Sequence, residues 1–499
     1  MLILLLVATL NAQDALCASC HPDIVRTYSH TAMARTSAKV VPRNHPPAKP
    51  FLDATTQTTF SILQTPQSLL LKFSKGPGIT GTRPLEWFLG SGRVGRSYLF
   101  RMDDRLFQSP LSYYSAAAGW QLSPGFERRS SLDLTRAVEP SCLNCHASNF
   151  NATTLTMDPG ISCTRCHGDA RQHLATLGKS SMVNPKKLPP HERDSICAQC
   201  HLTGVARVAK FRTDNAVYQP GKKLSDFSAL FVWDQPESST IGVTSHFEKL
   251  AASRCKISSG DDLSCTTCHD PHSEPEPQKA SAFFNEKCRS CHAKKPCPKA
   301  PQGVCISCHM PKAAGRGVDH SSYTDHSIPR KPNTTSPATS TTLVPFWPNT
   351  TVGRDLGLAY SIVGKLDQAQ PLLESAAKDN PRDTAALSQL AQLHDRQGRE
   401  DLTQPLYEAI LKLDPNNATA ANNLAVIKIK SGQAAEAIVL WRRALTANPA
   451  QTGARMNLAQ ALFRQGNKAA AAIEVQQALI YDPDQPAARR LLNQLRLQP

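Results

Sequence analysis

The sequence predicts a mainly α protein of several domains: an N-terminal part with little regular structure and a small β-rich insertion, then an α-solenoid of helix pairs. Three observations carry that expectation. Cys-x-x-Cys-His occurs seven times between residues 17 and 309. From about residue 40 to 140 there is no cysteine, and apolar residues alternate in short runs. Beyond residue 350, four kinds of landmark recur every 34 residues. A chain of 499 residues is also too long for one ordinary core.

Leu2 to Leu10 form an apolar run followed by Asn11, Ala12 and Gln13. A bilayer span needs about 20 such residues, so the run is too short to cross. It fits the apolar core of a secretory signal with a small residue near the cleavage point, although no positive segment precedes it. Residues 1–13 are therefore expected to be a signal peptide and the mature chain to be periplasmic or otherwise extracytoplasmic. No other segment approaches about 18 uninterrupted apolar residues, so no transmembrane segment is expected.

The seven motifs are Cys17/Cys20/His21, Cys142/Cys145/His146, Cys163/Cys166/His167, Cys197/Cys200/His201, Cys265/Cys268/His269, Cys288/Cys291/His292 and Cys305/Cys308/His309. They use all but two of the 16 cysteines, Cys255 and Cys297. Two thiols three positions apart can bond both vinyl groups of one porphyrin, and the next His then lies beneath the ring to ligate iron. Zinc explains paired cysteines but not a His after every pair. A redox dithiol occurs once in a thioredoxin-like setting, not seven times. The expectation is about seven covalent c-type haems within residues 14–330.

Each such iron has one position beyond the porphyrin and its motif His. Nine other histidines exist, and His394 falls in the repeat part. The remaining eight are His30, His45, His173, His191, His246, His272, His320 and His326, nearly one per haem, with Met33 and Met310 as fallback ligands. That count favours bis-His, electron-transferring haems. Motifs about 20 residues apart leave too little chain for separate cores, so the haems must pack against one another and the apoprotein should not fold.

Residues 17–39 and 142–330 resemble the multihaem cytochrome c family that includes the tetrahaem cytochrome c-554 of ammonia oxidisers. The strings are CASCHPDIVRTYSHTAM, CTRCHGDARQH, ICAQCH, SHFEKLAASRC, SCTTCHDPH, CRSCHA, CISCHMPK and TDHSIP. The resemblance implies that His30, His173, His246, His272 and His326 cap neighbouring haems, with His320 a further candidate. His45 and His191 match no family position. It also places Cys255 and Cys297 where the family often carries a pair. A disulfide between them suits an oxidising compartment; two unrelated thiols are the alternative. Nitrite reductases resembling this group hold their catalytic iron through CxxCK, which this sequence lacks.

Within the cysteine-free stretch, residues 55–61 and 69–73 read as short strands. The glycines of GSGRVG (Gly90, Gly92 and Gly95) match no nucleotide-binding spacing. The expected role is a small β insertion covering the first haem. The sharper alternative is a wall of Arg93, Arg96, Tyr113, Tyr114 and Trp120 beside a haem edge or substrate pocket.

Residues 331–350 are rich in Pro, Ser and Thr and read as a linker. Beyond it, Pro381, Pro415, Pro449 and Pro483 recur at a fixed period, with Gly364, Gly398, Gly432 and Gly466, and Leu356, Leu390, Leu424 and Leu458. Small residues (Ala369, Thr403, Ala437, Ala471) follow the same period, which resembles the tetratricopeptide repeat (TPR). Gly and Ala are expected to let helices approach closely, and residues 351–499 to form four repeats plus a capping helix. His394 is expected to pack within the repeats.

Two functions follow. One is a multihaem electron-transfer protein whose TPR array docks a redox partner or another protein or peptide. The other is a multihaem oxidoreductase of a small inorganic nitrogen or sulfur compound at one open haem. An adaptor with incidental haems ranks below both. The net charge of +16 first suggests nucleic acid or anionic lipid. Seven haems would bring about fourteen propionate charges, and buried propionates need cationic partners. The basic excess then points away from nucleic acid.

Overall fold

The computed structural model describes residues 12–115, 119–127, 129, 131–151, 154–211, 217–234, 245–293, 297, 304–314, 322–329, 342–348 and 353–497. Most of the expected signal segment, His320 and residues 331–341 of the expected linker lie outside them.

The cysteine-free stretch folds into one antiparallel sheet: β1 (Ser37–Lys39), β2 (Ala48–Asp53), β3 (Thr58–Gln64), β4 (Leu69–Lys75), β5 (Ile79–Leu89), β6 (Gly95–Met102), β7 (Arg105–Tyr114) and β8 (Gly119–Leu122). The order is β2-β3-β4-β5-β6-β7-β8, with β1 pairing β5. Alternation sets the buried face, as Phe60 and Ile62 on β3 and Leu69, Leu71 and Phe73 on β4 point the same way into the core. Gly90 (φ 101°) and Gly92 (φ 90°) build the turn between β5 and β6, and a Cβ on Gly90 would lie 2.5 Å from the Gly95 carbonyl. This turn is what the GSGRVG string encodes.

The sheet is larger than the small insertion expected, and it covers a different motif. Trp87, Leu99 and Leu106 pack on Leu143 and Ala147, the residues in and just after the second CxxCH motif. Ser37 Oγ donates to the His146 carbonyl at 2.5 Å, so β1 touches that motif as well. Tyr114 and Trp120 are buried in the sheet, which supports the core reading of these aromatics. Arg93 pairs with Glu274 at 3.1 Å.

The cysteine-rich part is built of short helices, some of which carry a motif, with small strand pairs between them. Strands Ala206–Ala209, Ser228–Trp233 and Leu343–Pro345 form a three-stranded sheet. The described end of the expected linker is therefore structural. Leu343–Pro345 pairs with Ser228–Trp233, and Phe346 and Trp347 pack against a core that includes Ile196 and Phe247.

The C-terminal part is four antiparallel helix pairs and a final helix, from Arg354–Ile362 to Pro486–Leu497. Leu373, Tyr407, Trp441 and Val475 occupy one repeat position and are all at most 2% exposed. Ala369, Thr403, Ala437 and Ala471, all fully buried, let the paired helices approach. The periodic glycines act otherwise than expected. Gly364, Gly398, Gly432 and Gly466 have φ of 71–81°, and a Cβ there would meet nothing within 4 Å. They end each first helix in the left-handed region rather than relieve helix contact. His394 is buried, with Nδ1 3.4 Å from Gln397 Oε1.

One edge of this array contacts the rest of the chain at both ends. Near its start, Arg354 bridges Asp383, Asp355 and the Ala209 carbonyl. Near its end, Ala450 and Tyr481 join the sheet's core, and Arg105 Nη2 donates to the Ala447 carbonyl at 2.7 Å.

Candidate metal centres

The CxxCH spacing suits one turn of helix. The backbone N–H of His21, His167 and His269 donates to the carbonyl of the first cysteine of its own motif at 2.8–2.9 Å. Cysteines three apart and the His four from the first then share one face. Helices Pro190–His201, Ala280–His292 and Cys305–His309 hold the fourth, sixth and seventh motifs in the same way.

The motif imidazoles meet non-motif imidazoles from distant parts of the chain. His21 faces His173 with ring centroids 6.4 Å apart and planes 14° apart. His167 faces His272 at 5.9 Å and 10°, and His269 faces His326 at 6.2 Å and 28°. Two imidazoles on opposite sides of one metal ion would have centroids roughly 6 Å apart, given metal–nitrogen bonds of about 2.0 Å plus the two ring radii. His246 lies 5.3 Å from His201 and 4.9 Å from His326. His201, His246, His269 and His326 thus form one cluster across the fourth and fifth motifs. Among the described residues, no three His, Cys, Asp or Glu side chains converge as a metal-holding group. Outside that cluster the imidazoles meet in facing pairs, His21 with His173 and His167 with His272.

Hydrogen bonding sets the tautomer these rings need. Nδ1 of His167 lies 2.8 Å from the Val183 carbonyl, and that of His173 2.7 Å from the Ser180 carbonyl. His309 uses Pro329 O at 2.9 Å and His326 uses Thr324 O at 3.0 Å. A carbonyl can only accept, so Nδ1 carries the proton and Nε2 keeps a lone pair for a metal. Burial, followed by the neighbouring imidazoles, lowers His246 to about 3 and His269 to about 4. Both rings are neutral near pH 7, the ligating form. These carbonyls have no residue-type signature, which is why the sequence does not disclose them.

The thiols connect the motifs into one network. The thiols of Cys17 and Cys163, of Cys145 and Cys200, and of Cys197 and Cys265 are near enough to influence one another's protonation, all remaining free thiols. Cys288 adjoins both Cys305 and Cys268, and Cys166 adjoins Cys197 and Cys200. Each motif thus has another motif beside it, and the first reaches the third across more than a hundred residues of sequence.

Four motif cysteines, Cys20, Cys142, Cys291 and Cys308, are exposed thiols. Cys20 and Cys308 have local contacts. Ser19 Oγ donates to Cys20 Sγ at 3.8 Å, and Ser307 Oγ lies 3.8 Å from Cys308 Sγ. In each of these motifs the other cysteine (Cys17, Cys145, Cys288 or Cys305) makes the contact to a neighbouring motif named above. The reason is geometric. Sulfurs three positions apart are offset by roughly 4.5 Å along a helix, so one can meet the next motif while the other stays at the edge. Protein packing therefore covers one thiol of these pairs and leaves the second accessible to a ligand.

The other candidates sit differently. His30 is exposed, with Nδ1 2.6 Å from Arg35 Nη2. His146 Nδ1 lies 2.7 Å from Thr36 Oγ1, and His292 is exposed. His191 rests 5.1 Å from the Trp347 ring, and its buried Nε2 has no hydrogen-bond partner. His45 belongs to the sheet: it is 3% exposed, with Nδ1 2.9 Å from the Tyr98 hydroxyl. Burial, then the Arg96 charge, lowers it to about 4. The Cys255–Cys297 bridge is not formed. Both residues are thiols; Cys297 is exposed, while Cys255 lies near Cys291 and Cys268, among the motif cysteines.

Comparison with known proteins finds matches in both the cysteine-rich and the repeat parts. Residues 114–168 match the cytochrome c554 and c-prime family, and 257–296 match the doubled CXXCH motif. Three tetratricopeptide repeat profiles match 354–418, 406–439 and 428–495. The chain is a multihaem c-type cytochrome carrying tetratricopeptide repeats. This cytochrome is 27% identical over 216 residues to the multiheme cytochrome MtrA of Shewanella baltica (strain OS185), an alignment covering 38% of this chain and 48% of that protein. It thus spans about half the length of the curated relative it matches. Among solved structures, MamA is similar at 24% identity with a TM-score of 0.27, over 30% of this chain and 88% of that one. Pseudomonas aeruginosa pilF is similar at 23% with a TM-score of 0.26, over 29% and 65%. Among the described residues, no helix of the cytochrome is long and apolar enough to cross a membrane.

Proposed function

We propose that this cytochrome carries electrons through about seven closely packed, mostly bis-His haems in a periplasmic or otherwise extracytoplasmic compartment, and that its TPR array docks a partner protein. The observation that carries the reading is the set of facing imidazoles, 5.9–6.4 Å apart and near parallel, each uniting a motif His with a His from elsewhere in the chain. Haem c, when bound, supplies a one-electron iron couple. The chain does the rest. Cys17/Cys20 through Cys305/Cys308 would hold the porphyrins, and the motif histidines would ligate from one side. His173 would serve the first motif, His272 the third, His246 the fourth and His326 the fifth. Backbone carbonyls fix the rings, and contact between motif thiols keeps neighbouring centres adjacent.

The test is maturation in a host competent for cytochrome c assembly. Intact mass should show about seven added haems, and the ferric visible and EPR spectra should be dominated by low-spin iron. Fewer than six haems, or zinc in their place, would overturn the reading. A prominent high-spin signal together with tight nitrite or hydroxylamine binding would move the assignment to an oxidoreductase.

A further inference from the structure

One carboxylate ties together three segments that are far apart in the chain. Glu274 Oε1 accepts the Ala32 N–H at 3.1 Å, across 242 residues of sequence, and Oε2 pairs with Arg93 Nη1 at 3.1 Å. Ala32 lies two residues beyond His30, on the strap that leads from the first motif to β1. Arg93 lies in the turn between β5 and β6, and Glu274 lies two residues beyond His272.

The His272 ring faces His167 at 5.9 Å and 10°, yet it is held differently from its counterparts. His173 and His326 have Nδ1 on a backbone carbonyl. His272 Nδ1 lies 3.8 Å from Asp270 Oδ1, too far for a hydrogen bond. Its orientation follows that of the turn instead. Asp270 makes this turn a single piece, because Oδ1 accepts the His272 N–H at 2.9 Å and Oδ2 accepts the Ser273 hydroxyl at 2.8 Å.

The strap is anchored on the third motif. The Tyr28 hydroxyl donates to the Ile161 carbonyl at 2.5 Å, and the Ile161 N–H donates to the Met33 carbonyl at 3.1 Å. A Cβ on Gly160 would run into the Ala34 carbonyl, so strap and motif approach as closely as backbone allows. Tyr28 also meets the His272 ring edge-on, with centroids 6.5 Å apart. Glu274 therefore closes a circuit that runs from His167 through the strap to the His272 turn. A carboxylate suits the place, since it offers an acceptor oxygen to each of two donors. The Arg93 side chain is 56% exposed, so its pairing alone contributes little, and the Ala32 bond sets the spacing.

We propose that Glu274 is a positioning residue, holding the His272 turn against the strap so that the imidazole stays aligned with His167. The proposal rests on the haem reading above, which supplies the iron between the two rings.

The experiment uses the full-length, haem-loaded protein, with EPR, cyanide binding and intact mass as readings. His272→Ala first identifies the signal, since one low-spin haem should become high-spin. In Glu274→Ala that same signal should shift in g value or pass partly to high-spin iron, the other signals and the haem count staying as they are. Cyanide should displace His272 about tenfold more readily, because losing an outer partner of a ligating His typically costs about 10–100-fold. Glu274→Gln keeps an acceptor for the Ala32 N–H and should shift the signal less. A merely structural loss would disturb every haem alike. An unmoved signal with unchanged cyanide binding in Glu274→Ala overturns the proposal, as does an equal change at all haems. Should Glu274→Ala fail to mature, Glu274→Gln carries the reading: a shift confined to the same signal supports the proposal, and an unmoved signal overturns it. Failure of the haem reading shows separately, in a His272→Ala spectrum that stays wholly low-spin or an intact mass without haem.

Discussion

His173, His272 and His326 make the same prediction by different routes through the chain. Each faces a motif imidazole at the distance expected across one metal ion, and for His173 and His326 a backbone carbonyl fixes the ring. Replacing any one with Ala should convert one haem from low-spin to high-spin and open it to cyanide, with the haem count by mass unchanged. A variant whose EPR spectrum stays wholly low-spin would remove that His from the ligand set. His45 is the control. His45→Ala should leave the haem spectrum untouched but cost about 1–3 kcal/mol in the sheet, because the Tyr98 hydroxyl loses its buried partner. The attachment positions were legible because a covalent motif must be contiguous in sequence. Which thiol of a pair the protein covers was not: Cys17 and Cys20 read alike, and only the contact with Cys163 separates them. The sixth ligands were legible only as a pool of histidines, since pairing is set by tertiary approach. His45 and His173 carry the same side chain, and only the Tyr98 and Ser180 contacts tell their roles apart.

Among the elements, the repeat array was the more readable because its 34-residue period ties each landmark to a fixed place in a helix pair. Trp441 is 2% exposed at a position shared with Leu373, Tyr407 and Val475. Trp441→Ala should cost about 3–5 kcal/mol in thermal or urea unfolding of the array. Gly432 sits at φ 80° with open space around its Cα. Gly432→Ala should therefore cost only about 1–2 kcal/mol, through backbone strain and not through a clash. A larger loss would restore the helix-contact role that the sequence suggests. The sheet was less readable. Its strands could be found from alternation, but β5 pairs with β4 along its first half and with β6 and β1 along its second. Such divided pairing depends on the register shift between Leu85 and Trp87, and alternation carries no record of it. The same limit hid the strand Leu343–Pro345 inside a Pro/Ser/Thr-rich segment.

At the scale of the whole molecule, the parts that sequence composition separates are packed together. The last loop of the repeat array sits against the sheet: the Leu134 N–H donates to the Tyr481 carbonyl, the Tyr481 hydroxyl to Asp103, and Lys75 pairs with Asp484. A chain ending at residue 350 should therefore retain its haems by mass but unfold at lower temperature, because the apolar surface that Ala450 and Tyr481 cover becomes exposed. Unchanged melting would show that the docking contributes nothing. The same contact predicts a pH dependence. Asp482 has a buried carboxylate oxygen without a partner. Burial first, then the Asp133 and Asp484 charges, raise it to about 7, with Arg129 opposing. A carboxyl raised on folding binds its proton more tightly in the folded state than in the unfolded one. Its stabilisation is complete below the ordinary carboxylate range and is lost as pH rises toward about 7. Melting of the full-length protein should therefore fall between about pH 4 and 7, and Asp482→Asn should flatten that slope and stabilise the neutral-pH protein. An unaltered slope in Asp482→Asn would assign the pH dependence to other groups.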